Sequence, residues 1–391
     1  MSSRPTILCF VAYYLPGYRS GGPARTISNF VDHLGDEFDI RIVTWDRDFG
    51  DTKPYSAITL DGWNQLGKSQ VFYASERTLT LRGIGRLLRD TPHDLLYLNS
   101  FFTFSFTTLP LLARRLGMAP KPPCVIAPRG QFSAGAIALK ARKKRLYLTV
   151  VKVIGIYRYL NWQASSEFEA QDIRREFGNH AENISVAPDL PLKIRAESDA
   201  RSVQQMRMPG PLRVVFLSRI SPMKNLDFLL RALMKVTRPV ELAIYGPAED
   251  KQYWSICQNL IERLPKNVTV NYLGEVTPDQ VHDAFAAHDL FALPTRGENF
   301  GHVILESLTA GTPVLISDQT PWQADNACGV TTLALAEPSR WAEEVNRWAQ
   351  LNSVQLQSLR LAARSIAEKV LNNEQVVLAN KTLFEKVARL L

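Results

Sequence analysis

The stretch Pro294-Thr-Arg-Gly-Glu-Asn-Phe-Gly-His-Val-Ile-Leu-Glu306, continuing Ser-Leu-Thr-Ala-Gly-Thr-Pro-Val314, decides how the rest of the chain is read. The apolar run Leu290–Leu293 before it ends at Pro294, and a loop holding Gly297 and Gly301 follows. Apolar residues at helical spacing then run to Ala310, with Gly311 placed to cap the helix. A strand, a tight loop and a helix start make an anion site, because the first helical N–H groups lack intrahelical partners and the dipole is positive there. Glu298 and Glu306 lie eight positions apart across that start. At helical rise this separates them by up to about 12 Å, so two carboxylates can take hydroxyl hydrogen bonds while the amides between them hold phosphate.

Working outward, Val214-Val-Phe-Leu217 reads as a strand that opens into Ser218-Arg-Ile-Ser-Pro-Met-Lys-Asn-Leu226. Arg219 and Lys224 are therefore on a loop after a strand, where cations neutralise a diphosphate and gain most as a leaving group acquires charge. Tyr245-Gly246-Pro-Ala-Glu-Asp250 is a third such loop, suited to lining a base or ribose. Near the amino end, Gly21-Gly22-Pro23 follows the first apolar run and opens a helix; it reads either as a plain turn or as glycines that let backbone approach a ligand.

Short apolar runs alternate with helix-length segments from end to end. Strands are expected at 6–13, 39–44, 70–73, 95–98, 124–127 and 184–187, then at 213–217, 240–245, 268–272, 290–293 and 313–316. That alternation implies an α/β protein with parallel sheets covered on both faces. At 391 residues the chain is about right for two domains. The polar stretch from Lys193 to Pro211 marks the join. Two doubly wound Rossmann-like domains are expected to face each other across a cleft, with ligands at the carboxyl ends of strands.

The net charge of +8 is unevenly spread, since no acidic residue falls between Asp94 and Glu167 while eleven lysines and arginines do. Within that interval Lys140-Ala-Arg-Lys-Lys-Arg145 supports three readings: a solvated helix face, a nucleic-acid patch, or a dock on an anionic membrane surface through Lys140, Arg142, Lys143, Lys144 and Arg145. The apolar residues that follow (Leu146, Tyr147, Leu148, Val150, Val151) favour an interfacial element over nucleic acid, or else belong to the core. The four cysteines stand far apart, as expected of free thiols in a reducing compartment. The run Ile7–Leu15 imitates a secretion signal but lacks a cleavage pattern, and no apolar stretch is long enough to span a bilayer, so a cytoplasmic location is expected, peripheral on the inner membrane face if the basic segment docks. A dinucleotide dehydrogenase is disfavoured, because no Gly-x-Gly-x-x-Gly follows the first strand.

Taken together, the double glycine, the Arg-x4-Lys loop, the strand ending Tyr-Gly-Pro, and Glu-x7-Glu with Gly-Thr-Pro-Val behind it resemble the retaining family-4 glycosyltransferases, of the kind that build bacterial surface polysaccharides. The similarity runs over nearly the whole chain. It implies the GT-B fold, with an acceptor-binding domain at 1–195, a nucleotide-sugar-binding domain at 196–372, and a last helix at 373–391 returning to the first. It implies transfer of a hexose-type sugar from a nucleotide diphosphate sugar to a lipid-linked or saccharide acceptor, with no cofactor and no metal. Arg219 and Lys224 would bind the diphosphate and Glu306 the ribose, while Glu298 would face the donor sugar. Asn299, Phe300 and Gly301 would supply amides near the phosphates, Gly21 and Gly22 would touch the diphosphate or sugar, and Tyr245 and Gly246 would line the donor.

The chain departs from the family pattern at Ala127-Pro-Arg-Gly130, where Arg129 stands in place of a common histidine. A guanidinium does not act as a base at neutral pH, so Arg129 is read either as an anion binder near the reacting centre or as a structural ion-pair former. Pro188-Asp-Leu-Pro191 also departs, and carries no role in this reading. Two rivals stand beside the transferase: a sugar-nucleotide epimerase or phosphorylase of the same fold, and a non-catalytic protein binding anionic lipid.

Overall fold

The computed structural model describes residues 4–193, 210–323 and 329–388. The chain divides into two compact units, one comprising Met1–Lys193 with Asn373–Leu391, the other Ile194–Asn372. Most of the polar join, and the boundary expected at 195/196, lie outside the described residues.

The first unit is built on an eight-stranded sheet. Its strands are β1 (Thr6–Phe10), β2 (Asp39–Trp45), β3 (Trp63–Leu66), β4 (Ser69–Ala74), β5 (Leu95–Asn99), β6 (Cys124–Ala127), β7 (Asn161–Ala164) and β8 (Asn183–Val186), in the order β3-β4-β2-β1-β5-β6-β7-β8. All neighbours are parallel except β3, which pairs antiparallel with β4. Strands buried on both faces need continuous apolar sequence rather than alternation. Leu95-Leu-Tyr-Leu-Asn99 meets that demand and is buried throughout. The last helix, Glu374–Ala388, is part of this unit: Phe384 packs on Phe30 and Tyr97 with ring centroids 4.9 Å away, and Lys381 pairs with Glu37 at 2.6 Å.

The second unit holds six parallel strands, β9 (Leu212–Leu217), β10 (Val240–Tyr245), β11 (Val268–Gly274), β12 (Leu290–Leu293), β13 (Val314–Ser317) and β14 (Val330–Leu333), ordered β11-β10-β9-β12-β13-β14. The chain starts in the middle, winds outward through β10 and β11, then returns to β12 on the other side of β9. Strand order reverses between β9 and β12, which is where a doubly wound sheet opens a crevice beyond its carboxyl ends. Three strands are not among those expected from the sequence: β3, β7 and β14. Each has four residues and carries polar side chains, Asn64 and Gln65, Asn161 and Gln163, Thr331 and Thr332, so none forms an apolar run.

Candidate functional site

The reversal point of the second sheet is stitched together by backbone and side chains from four loops. After β9, Ser218 N donates to Tyr245 O (3.1 Å) and Ile220 N to Pro247 O (3.0 Å), so Arg219 is held where the β9 and β10 loops meet, with its side chain at the surface. Gly246 permits that approach. Its φ is +136°, and a Cβ there would lie 1.9 Å from Ser218 O.

The other end of the same loop crosses to β12. Asn225, at φ +63°, donates from Nδ2 to Pro294 O (3.0 Å), and its Oδ1 accepts from Arg296 Nε (3.1 Å) and Nη2 (3.0 Å). Arg296 N donates to Met223 O at 2.8 Å. Sequence reasoning passed over Asn225 and Arg296; the signal available was an asparagine, a residue tolerant of left-handed backbone, directly before a helix. With the two loops clamped in this way, Lys224 Nζ bonds Glu298 Oε1, both side chains largely withdrawn from water.

The loop after β12 is closed from beyond by the β13 loop. Glu298 N donates to Gln319 O (3.0 Å), Ser317 Oγ to Thr295 O (2.5 Å) and Trp322 Nε1 to Phe300 O (2.7 Å). Gly301, at φ +81°, precedes the helix His302–Thr309; a Cβ on it would meet Ile304 Cδ1 at 2.9 Å and Trp322 Nε1 at 3.1 Å. Asn299, Phe300 and Gly301 thus follow the Lys224–Glu298 pair directly into the helix start, and half-buried Glu306 lies in the second turn of that helix. Tyr245, half-buried at the end of β10, sits edge-on to His288 with centroids 6.3 Å apart. Arg219, Lys224, Tyr245, Gly246, Glu298, Asn299, Phe300, Gly301 and Glu306 therefore all belong to the carboxyl end of one sheet or the helix that leaves it. Gly21, Gly22 and Arg129 belong to the other unit.

In that unit Gly21, at φ +69°, is the N-cap of the helix Gly22–Leu34, and a Cβ on either glycine would meet no atom within 4 Å. The approach to them is set by Asp48, whose Oδ2 accepts from Tyr18 N (3.0 Å) and Arg19 N (3.3 Å). Asp46 and Asp48 have the Asp-x-Asp spacing of a diphosphate–metal motif, yet Asp46 is taken by Arg47 Nε at 2.7 Å and Asp48 by those amides. Among the described residues, no three His, Cys, Asp or Glu side chains converge in a way that would hold a metal ion.

Arg129 is placed otherwise than an anion binder requires. Its side chain is 7% exposed and its guanidinium is spent on Asp189, the Tyr97 hydroxyl, and Asn99 Oδ1 at 2.8 Å. Burial alone would lower its pKa, but the Asp189 carboxylate and its neighbours hold it above the ordinary arginine value. Of the two sequence readings, the structural ion pair is the one these contacts describe. The same network gives Pro188-Asp-Leu-Pro191 a part: Asp189 also accepts from Thr26 Oγ1 (3.2 Å), Leu190 O accepts from Asn29 Nδ2 (2.8 Å), and Asn380 Nδ2 on the last helix donates to Pro188 O (2.8 Å). Cys9, Cys124 and Cys257 are buried free thiols, whereas Cys328 lies outside the described residues.

Architecture and sheet order define the class: this is the two-Rossmann GT-B fold. Solved structures of the same fold include sucrose-phosphate synthase from Thermosynechococcus elongatus (TM-score 0.73, 16% identity, 98% of this chain and 99% of that one) and Anabaena HepE in complex with UDP and glucose (TM-score 0.69, 18% identity, 98% and 100%). More particularly, residues 200–366 match the family described as Glycosyl transferases group 1. Among curated proteins the chain is similar to the D-inositol 3-phosphate glycosyltransferases of Rhodococcus erythropolis (29% identity over 165 residues, 40% of this chain) and Segniliparus rotundus (29% over 192 residues, 46%). These matches span 37% and 42% of those relatives' own length.

Proposed function

We propose that the protein is a retaining glycosyltransferase that moves a hexose-type sugar from a nucleotide diphosphate sugar to a lipid-linked or polysaccharide acceptor in cell-surface glycan assembly, without a bound metal or other cofactor. The observation that carries this reading is the Lys224–Glu298 pair at the sheet reversal, set between the loop of Arg219 and a helix start. Arg219, Lys224 and the amides from Asn299 to Gly301 would face the diphosphate, and their attraction would grow as the anomeric carbon–oxygen bond breaks and negative charge collects on the leaving group. Glu298 would take donor-sugar hydroxyls and orient Lys224, while Glu306, in the second turn of the helix that follows, would take the ribose. Solved neighbours holding UDP and UDP-glucose support a nucleotide-sugar donor. A similar fold in WaaG, described as a glycosyltransferase involved in lipopolysaccharide biosynthesis, supports the surface-glycan acceptor. Among the described residues no helix is long and apolar enough to cross a membrane, and we place the transfer on the cytoplasmic side, where nucleotide sugars meet lipid-linked acceptors.

The test is a thermal-shift panel of UDP, GDP, ADP and their sugars. A ligand present at a hundred times its dissociation constant adds about 2.7 kcal/mol of stability. One nucleotide series should shift the melting temperature, and Glu306→Ala should reduce that shift; an unchanged shift rejects the ribose assignment. Turnover of the donor with no acceptor present would point instead to an epimerase.

A further inference from the structure

The helix Ala141–Ile154 divides its residues in a way its sequence does not announce. Leu148 and Val151 are buried in the core at 4% and 3% exposure, and Tyr147 hydrogen-bonds the hydroxyls of Thr108 and Tyr157. Lys144 also turns inward, donating to Ala136 O at 2.6 Å with its ammonium 4.9 Å from the Phe102 ring centroid. It is therefore removed from the surface group expected of it. What remains outside is Leu146 (68% exposed), Val150 (46%), Val153 (83%) and Ile154 (45%). At 100° per residue the first three fall within about 60° of one another on the helix, and from Leu146 to Ile154 the stripe is about 12 Å long.

Cations frame this stripe. Arg142, Lys143 and Arg145 are exposed at its amino end, and Arg158 is exposed beyond the left-handed cap Gly155. Next to Arg158 stands Tyr159, 86% exposed and held at φ +61°, a backbone region costly for a bulky residue. Folding gains nothing visible from placing an aromatic ring there. From Leu95 to Ser166 the chain has no acidic residue, and Glu182 lines one cavity with Arg158 and Tyr159.

We propose that this face is a docking surface for an anionic lipid bilayer, with Leu146, Val150, Val153 and Tyr159 entering the headgroup–acyl boundary and Arg142, Lys143, Arg145 and Arg158 meeting lipid phosphates. Exposed apolar residues ringed by lysine and arginine have the chemistry of an interfacial helix. A second copy of the chain fits poorly, because it would bring one cationic rim against another. The inference deepens the reading of a transferase with a lipid-linked acceptor and takes its purpose from that reading, but its test needs no transferase activity.

The test is flotation of the full chain with phosphatidylcholine vesicles, with and without phosphatidylglycerol. The chain should float with the anionic vesicles and remain in solution with the neutral ones, and the partition should fall as salt is raised. Replacing Arg142, Lys143 and Arg145 together by alanine should weaken partition on the order of a hundred-fold, at about five-fold per charge. Leu146→Asp with Val153→Asp should abolish it while leaving the melting temperature and any nucleotide-induced shift as in the parent, since both residues face outward. Failure to float with anionic vesicles overturns the proposal, as does undiminished flotation of the double aspartate variant. If sedimentation velocity shows self-association that the double variant removes, the face is a dimer interface and the proposal is overturned. A missing nucleotide shift with intact flotation would count against the transferase alone.

Discussion

Lys224 and Glu298 are joined by an ion pair across 74 positions of sequence, with side chains only 14% and 12% exposed. The pair bridges the loops after β9 and β12, the two strands between which the sheet order reverses. Its position makes each charge the orienting partner of the other, because a half-buried ammonium without its carboxylate would pay desolvation with no return.

Lys224→Ala should therefore strike the reaction harder than the fold. On the proposed mechanism it removes a cation that acts on the leaving group, so kcat should fall by about 10²–10³ with a smaller change in donor affinity. Glu298→Gln keeps the shape of the pair and should depress kcat as well. Release of nucleoside diphosphate measures both. A loss of melting temperature with unchanged kcat in both variants would assign the pair to structure.

Gly246→Ala should lose stability even though it adds one methyl group. The backbone at φ +136° is closed to L side chains, and Ser218 O occupies the place of the new Cβ. A cost of about 3 kcal/mol is expected from strain and displacement together, read as a lower urea midpoint. If Gly246→Ala matched the parent, the β9 and β10 loops would have to separate freely, against the contacts described.

Arg129 and Asp189 should show strong coupling. Asp189→Leu leaves a buried guanidinium uncompensated and should cost about 3–5 kcal/mol. Arg129→Met in the same background should recover part of that loss, giving a double variant more stable than the sum of the singles. Urea unfolding of the four proteins closes the cycle; additive losses would contradict the ion pair.

Asp289 predicts a pH signature. It is fully buried; burial pushes its carboxyl up, but hydrogen bonds from Arg213 Nε (3.2 Å), Nη2 (2.8 Å) and backbone N (3.1 Å), with Arg360 nearby, bring it below the ordinary aspartate value. A depressed folded-state pKa contributes stability above the unfolded value, near 3.9, and loses it as pH falls through the folded value. Asp289→Asn should accordingly be less stable than the parent at pH 7, with the gap shrinking in acid below about pH 4. A gap independent of pH would show that the charge of Asp289 contributes nothing.

Much of this protein was legible in one dimension. Apolar runs such as Leu95–Leu98 and Leu290–Leu293 announce parallel strands, because a strand covered on both faces has no choice but continuous hydrophobicity. Glycines and prolines then mark where each strand turns, and Glu298, Arg219 and Lys224 take their places at strand ends from local spacing alone. Short strands such as Trp63–Leu66 and Asn161–Ala164 stayed hidden, since polar residues interrupt their apolar ones and only the folded sheet shows that Trp162 and Ala164 are core.

Tertiary structure decided the rest wherever the energy of a residue depends on a distant partner. Arg129 became a buried strut because Asp189, 60 positions away, meets it in the interior, and a guanidinium so enclosed exchanges water for fixed hydrogen bonds. Leu146 and Val153 faced outward while Leu148 and Val151 faced inward, although all four are equally apolar in composition. Periodicity states that a helix has two faces; only the packing of Phe102, Tyr157 and their neighbours determines which of them loses its water.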